Sequence, residues 1–191
     1  MALTKSTMLP LGTSAPNFKL LDVASGMYRS LDFFKVKHGV VVVFICNHCP
    51  YVKHIKPKLL EISKLYMRKG IDFIAINSND VDAYPEDSVA EMRKDIERFD
   101  YPFAYLFDST QEVAKAYQAV CTPDFYLFDE DLSCVYRGRF DASTPGSDIP
   151  VTGEELTIAM DNLVSGKTIS EKQTPSLGCN VKWKQTTKAN V

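Results

Sequence analysis

The sequence predicts an α/β domain in which a central mixed β-sheet is flanked by helices. Three observations predict this fold: the apolar runs are short, helical stretches separate them, and a polar turn joins the last two runs. The 191 residues are 45% hydrophobic and 24% charged, which is typical of a soluble domain with a sizeable core.

Five apolar runs are predicted to be strands. Residues 40–45 (VVVVFI) form a continuous β-branched run, the pattern of a central strand that is buried on both faces. The polar turn at residues 129–131 predicts that the last two strands pair as an antiparallel hairpin. The other predicted strands are residues 71–76, 103–107, 125–128 and 132–136.

Four stretches are predicted to be helices. The first repeats apolar side chains every three or four positions, and Pro57 inside it is expected to produce a kink. Ser109 or Thr110 is expected to cap the third helix, and Thr152 the fourth. The predicted helices are residues 51–69, 86–99, 111–117 and 154–164, and a loop is expected at 141–153.

Composition excludes several functional classes. A net charge of −2 argues against nucleic acid as the main partner. The longest apolar run has seven residues, whereas a membrane-spanning helix needs about 20. The N-terminus lacks the continuous apolar stretch of about 7 to 15 residues found in signal peptides. We therefore expect a cytoplasmic protein with no membrane partner.

The charge is unevenly distributed along the chain. Residues 1–165 sum to −6, whereas residues 166–191 contain five lysines and one glutamate and sum to +4. We expect a domain over residues 1–165 and a basic C-terminal tail over residues 166–191 that packs on the domain or extends from it.

A cysteine pair, Cys46-Asn47-His48-Cys49-Pro50, directly follows the buried strand and opens the next helix. A thiol at a helix N-terminus faces unpaired N–H groups and the positive end of the helix dipole, which favour the thiolate. We therefore predict Cys46 as the nucleophile and Cys49 as the thiol that resolves a mixed disulfide. Protonated His48 is expected to lower the pKa of Cys46.

A metal-binding or chaperone module that uses the cysteines and histidines is an alternative interpretation of this pair. A CxxC motif can supply half of a zinc site, with further ligands from histidines or other cysteines. The sequence has no second CxxC or HxxxH pair, so redox chemistry is favoured and neither a metal nor another cofactor is expected. The side chains that this alternative would draw on are His48, His54, Cys121, Cys134 and Cys179.

Several longer motifs accompany the cysteine pair: CNHCPYVKH, INSNDVDAYPEDS, CTPDFYLFD, YRGRFD, PVTG and SLGCNVKWK. Together with Gly12, Ala15-Pro16 and Phe18, they resemble a peroxiredoxin-like (redoxin, AhpC/TSA) subgroup of the thioredoxin superfamily. The resemblance covers nearly the whole chain. It implies a thioredoxin-like fold with a redoxin-type N-terminal extension, and a thiol–disulfide oxidoreductase, with a thiol peroxidase of antioxidant type as the alternative.

The resemblance also implies that Thr122-Pro123 is the cis-proline of the thioredoxin fold. Such a proline leaves a backbone edge near the dithiol, on which an extended substrate can pair. Asn47, His48, Thr122 and Pro123 are accordingly expected to contact the substrate. The alternative for Pro123 is an ordinary proline that begins a strand.

Three features depart from the family patterns. Neither Cys46 nor Cys49 lies in the Pro-x-x-x-Thr/Ser-x-x-Cys string of peroxiredoxins, which argues against peroxidase chemistry by that mechanism. Val40 stands where thioredoxins bury an aspartate. Asp124 follows the proline directly, where a carboxylate can raise the pKa of Cys46 or act as a local base.

The remaining cysteines are candidates for auxiliary roles. Cys121 lies two positions before Pro123 and Cys179 lies in the basic tail, so each is a possible third redox thiol, although buried packing is the alternative for both. Cys134 is expected to be a packing residue. The expected partners are a protein or small-molecule disulfide and an upstream thiol reductant.

Overall fold

The structure, a computed structural model, describes residues 3–34 and 36–185. Within these ranges the chain forms ten strands and four α-helices. The strands are β1 (Leu3–Lys5), β2 (Lys19–Asp22), β3 (Tyr28–Ser30), β4 (Gly39–Phe44), β5 (Ile71–Asn77), β6 (Ala104–Phe107), β7 (Cys121–Thr122), β8 (Asp124–Asp129), β9 (Cys134–Gly138) and β10 (Leu177–Asn180). The helices are α1 (Pro50–Arg68), α2 (Val89–Phe99), α3 (Glu112–Ala116) and α4 (Glu154–Val164).

A mixed sheet of seven strands forms the centre of the described structure, in the order β3-β2-β6-β5-β4-β8-β9. Strand β4 pairs in parallel with β5 and antiparallel with β8, and all six of its residues are buried. Strands β8 and β9 pair antiparallel, as the hairpin prediction requires. The predicted mixed sheet with a buried central strand is therefore confirmed.

Apolar side chains cover both faces of this sheet. Val41 and Val43 face a cluster that includes residues of α1, α2 and α4. Val40 and Val42 face the opposite cluster, which includes α3 and the N-terminal segment. This alternation follows from the two-residue period of a strand and gives the helix-flanked α/β fold that was expected.

A second, smaller sheet joins both ends of the described chain to the segment before Pro123. Its order is β1-β10-β7, and both pairings are antiparallel. Cys179 of β10 lies opposite Leu3 on one side and Thr122 on the other. Part of the basic tail thus pairs with the chain next to Pro123. The division at residue 165 stays a prediction, and Lys188 of the tail lies outside the described residues.

Two boundaries differ from the sequence prediction because turns occupy the expected first residues. Helix α2 begins at Val89, since Pro85–Asp87 forms a 3₁₀ turn and the Ser88 hydroxyl caps the helix by accepting from the N–H of Glu91. Strand β9 begins at Cys134 because Leu132 adopts a positive φ in a turn closed onto Asp129.

The expected caps of α3 and α4 are also displaced by one residue. Gln111 and Gly153, both with positive φ, occupy the cap positions instead of Ser109 or Thr110 and Thr152. Thr152 still accepts a hydrogen bond from the N–H of Glu154. Helix α1 continues through Pro57, and no helix of residues 3–34 and 36–185 is long and apolar enough to span a membrane.

Candidate active site

The cysteine pair lies in the turn that connects β4 to α1. Strand β4 ends at Phe44, and α1 begins at Pro50 with Cys49 as its N-cap residue. Pro50 fits this first position because the N–H that it lacks would have no partner inside the helix. Cys46 and Cys49 are free thiols, and at most 1% of either residue is exposed. The strand-to-helix placement predicted from the sequence is therefore present.

Thr122 bridges the two thiols from the neighbouring sheet. The Sγ atom of Cys46 lies 3.6 Å from Oγ1 of Thr122, and the Cys49 thiol donates to the Thr122 carbonyl oxygen at 3.2 Å. The Thr122-Pro123 peptide bond is cis, as the family resemblance implies. The threonine thus contacts both members of the pair through different atoms.

The two thiols ionise as a coupled pair. The hydrogen bond with Cys49, burial and the negative charge of Asp87 raise the pKa of the Cys46 thiol well above its usual value. The same hydrogen bond outweighs burial at Cys49 and lowers the pKa of that thiol to about 5. The expected lowering of the Cys46 pKa by His48 is therefore not found in the reduced pair. The hydrogen bond between the two sulfurs therefore shifts their pKa values in opposite directions.

A fully buried carboxylate, Asp87, holds the turn between the cysteines. Its Oδ1 atom accepts hydrogen bonds from the N–H groups of Asn47 (2.8 Å) and His48 (3.1 Å). Its Oδ2 atom lies 2.6 Å from Nδ1 of His48 and accepts from Nδ2 of Asn79 at 2.8 Å. Burial alone would raise the pKa of Asp87, but the hydrogen bonds from His48 and Asn79 hold it below its usual value.

His48 is held beside Cys46 by this carboxylate. The hydrogen bond to Asp87 raises the pKa of His48. Its Nδ1 atom lies 3.8 Å from Sγ of Cys46, and its ring stacks on that of Tyr84 with centroids 5.5 Å apart. An imidazole with a raised pKa therefore lies close to the sulfur that was predicted to attack the substrate.

Sequence reasoning misses Asp87 and Tyr84. Both belong to the INSNDVDAYPEDS motif, which follows the carboxyl end of β5, the edge where sites in α/β sheets usually form. The position of this motif after a predicted strand was the feature of the sequence that could have indicated a site here. The pairing with His48 could not be inferred because 39 positions separate the two residues.

Three potential metal ligands lie together at this site. The ligand atoms of Cys46, His48 and Asp87 are within 4.8 Å of one another. The imidazole and the carboxylate are joined directly by a hydrogen bond, which a metal ion between them would have to replace. His54, another possible ligand, lies 3.2 Å through Nε2 from the hydroxyl of Ser143.

The residues expected to contact the substrate surround the pair but differ in exposure. Asn47 is anchored: its Nδ2 donates to the Glu86 carbonyl oxygen at 3.1 Å, and its Oδ1 accepts from the Tyr105 hydroxyl at 3.2 Å. Thr122 is buried. Pro123 lines a cavity of about 270 Å³ together with Tyr51 of α1. Contact with a substrate stays a prediction for Asn47, His48, Thr122 and Pro123.

Asp124 lies on the far side of the sheet from the dithiol. Its side chain shares a face with Tyr126, whose hydroxyl donates to Oδ2 at 2.8 Å and whose ring packs in the opposite core cluster. Burial raises the pKa of Asp124 to about 7. The expectation that this carboxylate raises the Cys46 pKa or serves as its base is wrong, because the strand directs it away.

The three other cysteines occupy different surroundings. Cys134 packs in the cluster opposite the dithiol, as expected, and burial raises its pKa to about 12. The Cys121 thiol points toward the Pro123 carbonyl oxygen at 3.9 Å, and burial raises its pKa. Cys179 lies in the same buried cluster as Cys46 and Cys49, and its thiol shares a hydrogen bond with that of Cys49.

A thioredoxin-like fold, with a cysteine pair after the central strand and a cis-proline beside it, defines the class of protein: an oxidoreductase of the thiol–disulfide type. The Redoxin family pattern matches residues 10–156. The chain belongs to the Redoxin family.

One curated relative agrees with this class, and a solved structure shares the fold over nearly the whole chain. The thiol-disulfide oxidoreductase ResA of Bacillus thuringiensis is 27% identical over 128 residues, which are 67% of this chain and 69% of that protein. An uncharacterized conserved protein from Geobacillus kaustophilus has a crystal structure with a TM-score of 0.95 and 53% identity, covering 97% of this chain and 98% of that one.

Another solved structure shows the fold alone. The thioredoxin domain of a thiol-disulfide oxidoreductase from Bacteroides vulgatus has a TM-score of 0.60 at 20% identity, covering 80% of this chain and 99% of that one. Its likeness supports the thioredoxin-like architecture. The named relatives favour thiol–disulfide exchange over the peroxidase and metal-binding alternatives.

Proposed function

We propose that this protein exchanges disulfides through Cys46 and Cys49, with a protein or small-molecule disulfide as substrate. One observation carries the proposal: two buried thiols lie at the junction of β4 and α1, and Thr122 contacts both of them. The thiolate of such a dithiol is the form that attacks a disulfide.

Cys46 is the sulfur that we assign to the first attack. It lies beside His48, which together with Asn47 lines a shallow surface groove, whereas Cys49 is enclosed by Thr122 and Cys179. Transfer of the Cys46 proton to Cys49 makes Cys46 the thiolate without loss of a proton from the pair. The His48 imidazolium then stabilises that negative charge.

The proposed exchange has two steps. The Cys46 thiolate attacks one substrate sulfur, the substrate disulfide breaks, and the other substrate sulfur leaves as a thiolate that takes up a proton. Cys49 then gives up its proton and attacks the Cys46 sulfur, which closes the Cys46–Cys49 disulfide and releases the second substrate thiol. The substrate is reduced by two electrons, the protein is oxidised by two, and an upstream thiol reductant restores the dithiol.

Location and cofactor use belong to the same proposal. Dithiol exchange needs no metal or organic cofactor, because the two cysteines carry both electrons. A reducing cytoplasm would keep the pair in its dithiol form between turnovers. We therefore propose a cytoplasmic reductase.

Trapping with oxidised glutathione tests the assignment of the two roles. Cys49→Ser is expected to accumulate a mixed disulfide between glutathione and Cys46, whereas Cys134→Ser should close an internal disulfide as the wild type does. Peptide mapping by mass spectrometry identifies the bonded cysteines. If Cys49→Ser takes up no glutathione at Cys46 and the wild type closes no disulfide at this pair, the proposal is wrong.

A further inference from the structure

Cys179 is the third sulfur of the active site by its position in the smaller sheet. In the β10–β7 pairing, Cys179 lies directly opposite Thr122, the residue that contacts both Cys46 and Cys49. The side chain of Cys179 is buried in the same cluster as those two cysteines. The tail strand therefore places a third buried thiol near the dithiol.

Cys49 is the central thiol of the three. Its side chain is hydrogen-bonded to Cys46 and to Cys179, and it donates to the carbonyl oxygen of Thr122. Cys49 thus interacts with both of the other sulfurs. Thiol–disulfide exchange requires a thiolate that can reach one sulfur of a disulfide while the other sulfur leaves, and this arrangement supplies both.

The backbone of β10 lies close to that of β7 because Gly178 has no side chain. A side-chain carbon on Gly178 would overlap the carbonyl oxygen of Thr122, so only glycine lets β10 lie this near the active-site strand. Lys182, buried just beyond β10, donates from Nζ to the Asn180 carbonyl oxygen at 2.7 Å, and its N–H donates to Oδ1 of Asn79 at 2.8 Å. These contacts hold β10 against the segment that carries Asp87.

We propose that Cys179 is a third redox cysteine that takes over the disulfide from Cys46, so that the oxidised protein also exists as a Cys49–Cys179 disulfide with Cys46 free. This inference rests on the proposed function, since it needs the Cys46–Cys49 disulfide as its starting point.

The step is balanced without any outside reagent. The Cys179 thiolate attacks the Cys49 sulfur, the Cys46–Cys49 bond breaks, and a Cys49–Cys179 bond forms. Cys46 leaves as a thiolate beside the His48 imidazolium and takes the proton that Cys179 has lost. The number of disulfides stays at one. Cys46, the sulfur next to the surface groove, becomes able to react with a second substrate.

Mapping of the free cysteine in the oxidised protein tests this relay. The wild type is oxidised with glutathione disulfide, quenched in acid, alkylated under denaturing conditions, and mapped by mass spectrometry. We expect a Cys49–Cys179 peptide and alkylated Cys46 in at least one-tenth of the internally oxidised molecules. Alkylated Cys179 without any alkylated Cys46, with every internal disulfide at Cys46–Cys49, would overturn the relay.

A second variant separates the relay from the exchange itself. Cys46→Ser is expected to close the Cys49–Cys179 disulfide, and Cys46→Ser/Cys134→Ser should do so equally, since Cys134 packs in the opposite cluster. Cys46→Ser/Cys179→Ser should close none. If Cys46→Ser stays reduced while Cys49→Ser still traps glutathione on Cys46, the relay is wrong and the proposed function stands.

Discussion

Among the individual residues, Asp87 has the strongest influence on the charges beside the cysteine pair. Its carboxylate is fully buried, yet it keeps four hydrogen-bond donors, of which the His48 ring and two N–H groups belong to the turn between the cysteines. Because a buried carboxylate is stable only with such partners, Asp87 holds the shape of the turn, and its hydrogen bond to His48 raises the pKa of that imidazole. The imidazole in turn lies next to the Cys46 thiol.

Replacement of Asp87 should change the titration of His48. Asp87→Asn removes the negative charge whose hydrogen bond raises the His48 pKa, so we expect that pKa to fall. NMR titration of the imidazole signals measures it, and His54, which contacts Ser143 instead, serves as the internal control. An unchanged His48 pKa in the folded variant would show that Asp87 does not hold the imidazolium.

Asp124 should make the protein less stable as the pH rises. Its folded pKa of about 7 lies above the unfolded value of about 3.9, so the carboxyl group is protonated in the fold while the unfolded chain ionises. The contribution of protonated Asp124 to the free energy of unfolding is complete below about pH 4 and is lost as the pH rises through 7. This contribution is at most about 4 kcal/mol.

Urea unfolding of Asp124→Asn between pH 4.5 and pH 8 checks this expectation. The variant should lose that part of the pH dependence and become more stable than the wild type at pH 8. Asp131→Asn, at an exposed turn position, is the matched control and should keep the wild-type slope. The same slope in both variants would mean that Asp124 is ionised in the fold.

Strand β10 links the tail to the active site at the scale of elements. It pairs with β1 and β7 at once, and it places Cys179 beside Thr122. The pairing depends on Gly178, which has no side chain to separate β10 from the Thr122 carbonyl group.

Gly178→Ala should push β10 away from β7. We expect a loss of about 1 to 3 kcal/mol of stability, typical of overpacking, and faster alkylation of Cys49 by iodoacetamide because β10 covers it. Gly146→Ala is the control: its φ of 83° carries strain, but open space surrounds it, so Cys49 should stay protected. Equal alkylation rates in the two variants would contradict the close approach of β10.

The length of each element decided what could be predicted from the sequence. Strands β4 and β5 and helix α1 carry apolar patterns of six or more residues, and all three lie within a few positions of their predicted bounds. Strands β1, β7 and β10 have two to four residues, and their pairing joins distant parts of the chain. Local pattern therefore carried no signal for the smaller sheet.

Local sequence pattern also limited what could be predicted of the active site. Cys46, Cys49 and the Thr122-Pro123 bond could be predicted, since local spacing and motif resemblance mark them. The contact of Cys179 with Cys49 and that of Asp87 with His48 depend on tertiary folding. Asp124 was placed wrongly because the neighbouring sequence does not show which face of β8 carries it.

In the molecule as a whole, part of the tail belongs to the folded core. Residues 176–182 contribute Ser176, Gly178, Cys179, Val181 and Lys182 to the buried interior. A chain that lacks them would leave β1 and β7 without their shared neighbour. The charge boundary at residue 165 therefore need not be a boundary of folding.

Truncation tests whether residue 165 is a boundary of folding as well as a boundary of charge. A chain of residues 1–165 is expected to lose at least about 4 kcal/mol of stability, or roughly 10 °C in Tm, because β10 and its buried side chains are absent. A chain of residues 1–185 keeps every residue of β10 and should unfold as the full chain does. Thermal unfolding followed by circular dichroism measures both, and an unchanged Tm for residues 1–165 would support an independent domain.

The central claim is that Cys46 and Cys49 form a reversible redox pair. Titration of the full chain in glutathione buffers, with the disulfides mapped after an acid quench, tests it most directly. We predict a single two-electron transition with a midpoint between about −270 and −180 mV, in which a Cys46–Cys49 disulfide forms and disappears reversibly. A protein that stays fully reduced, or that gains only glutathione adducts without this internal disulfide, would contradict the account.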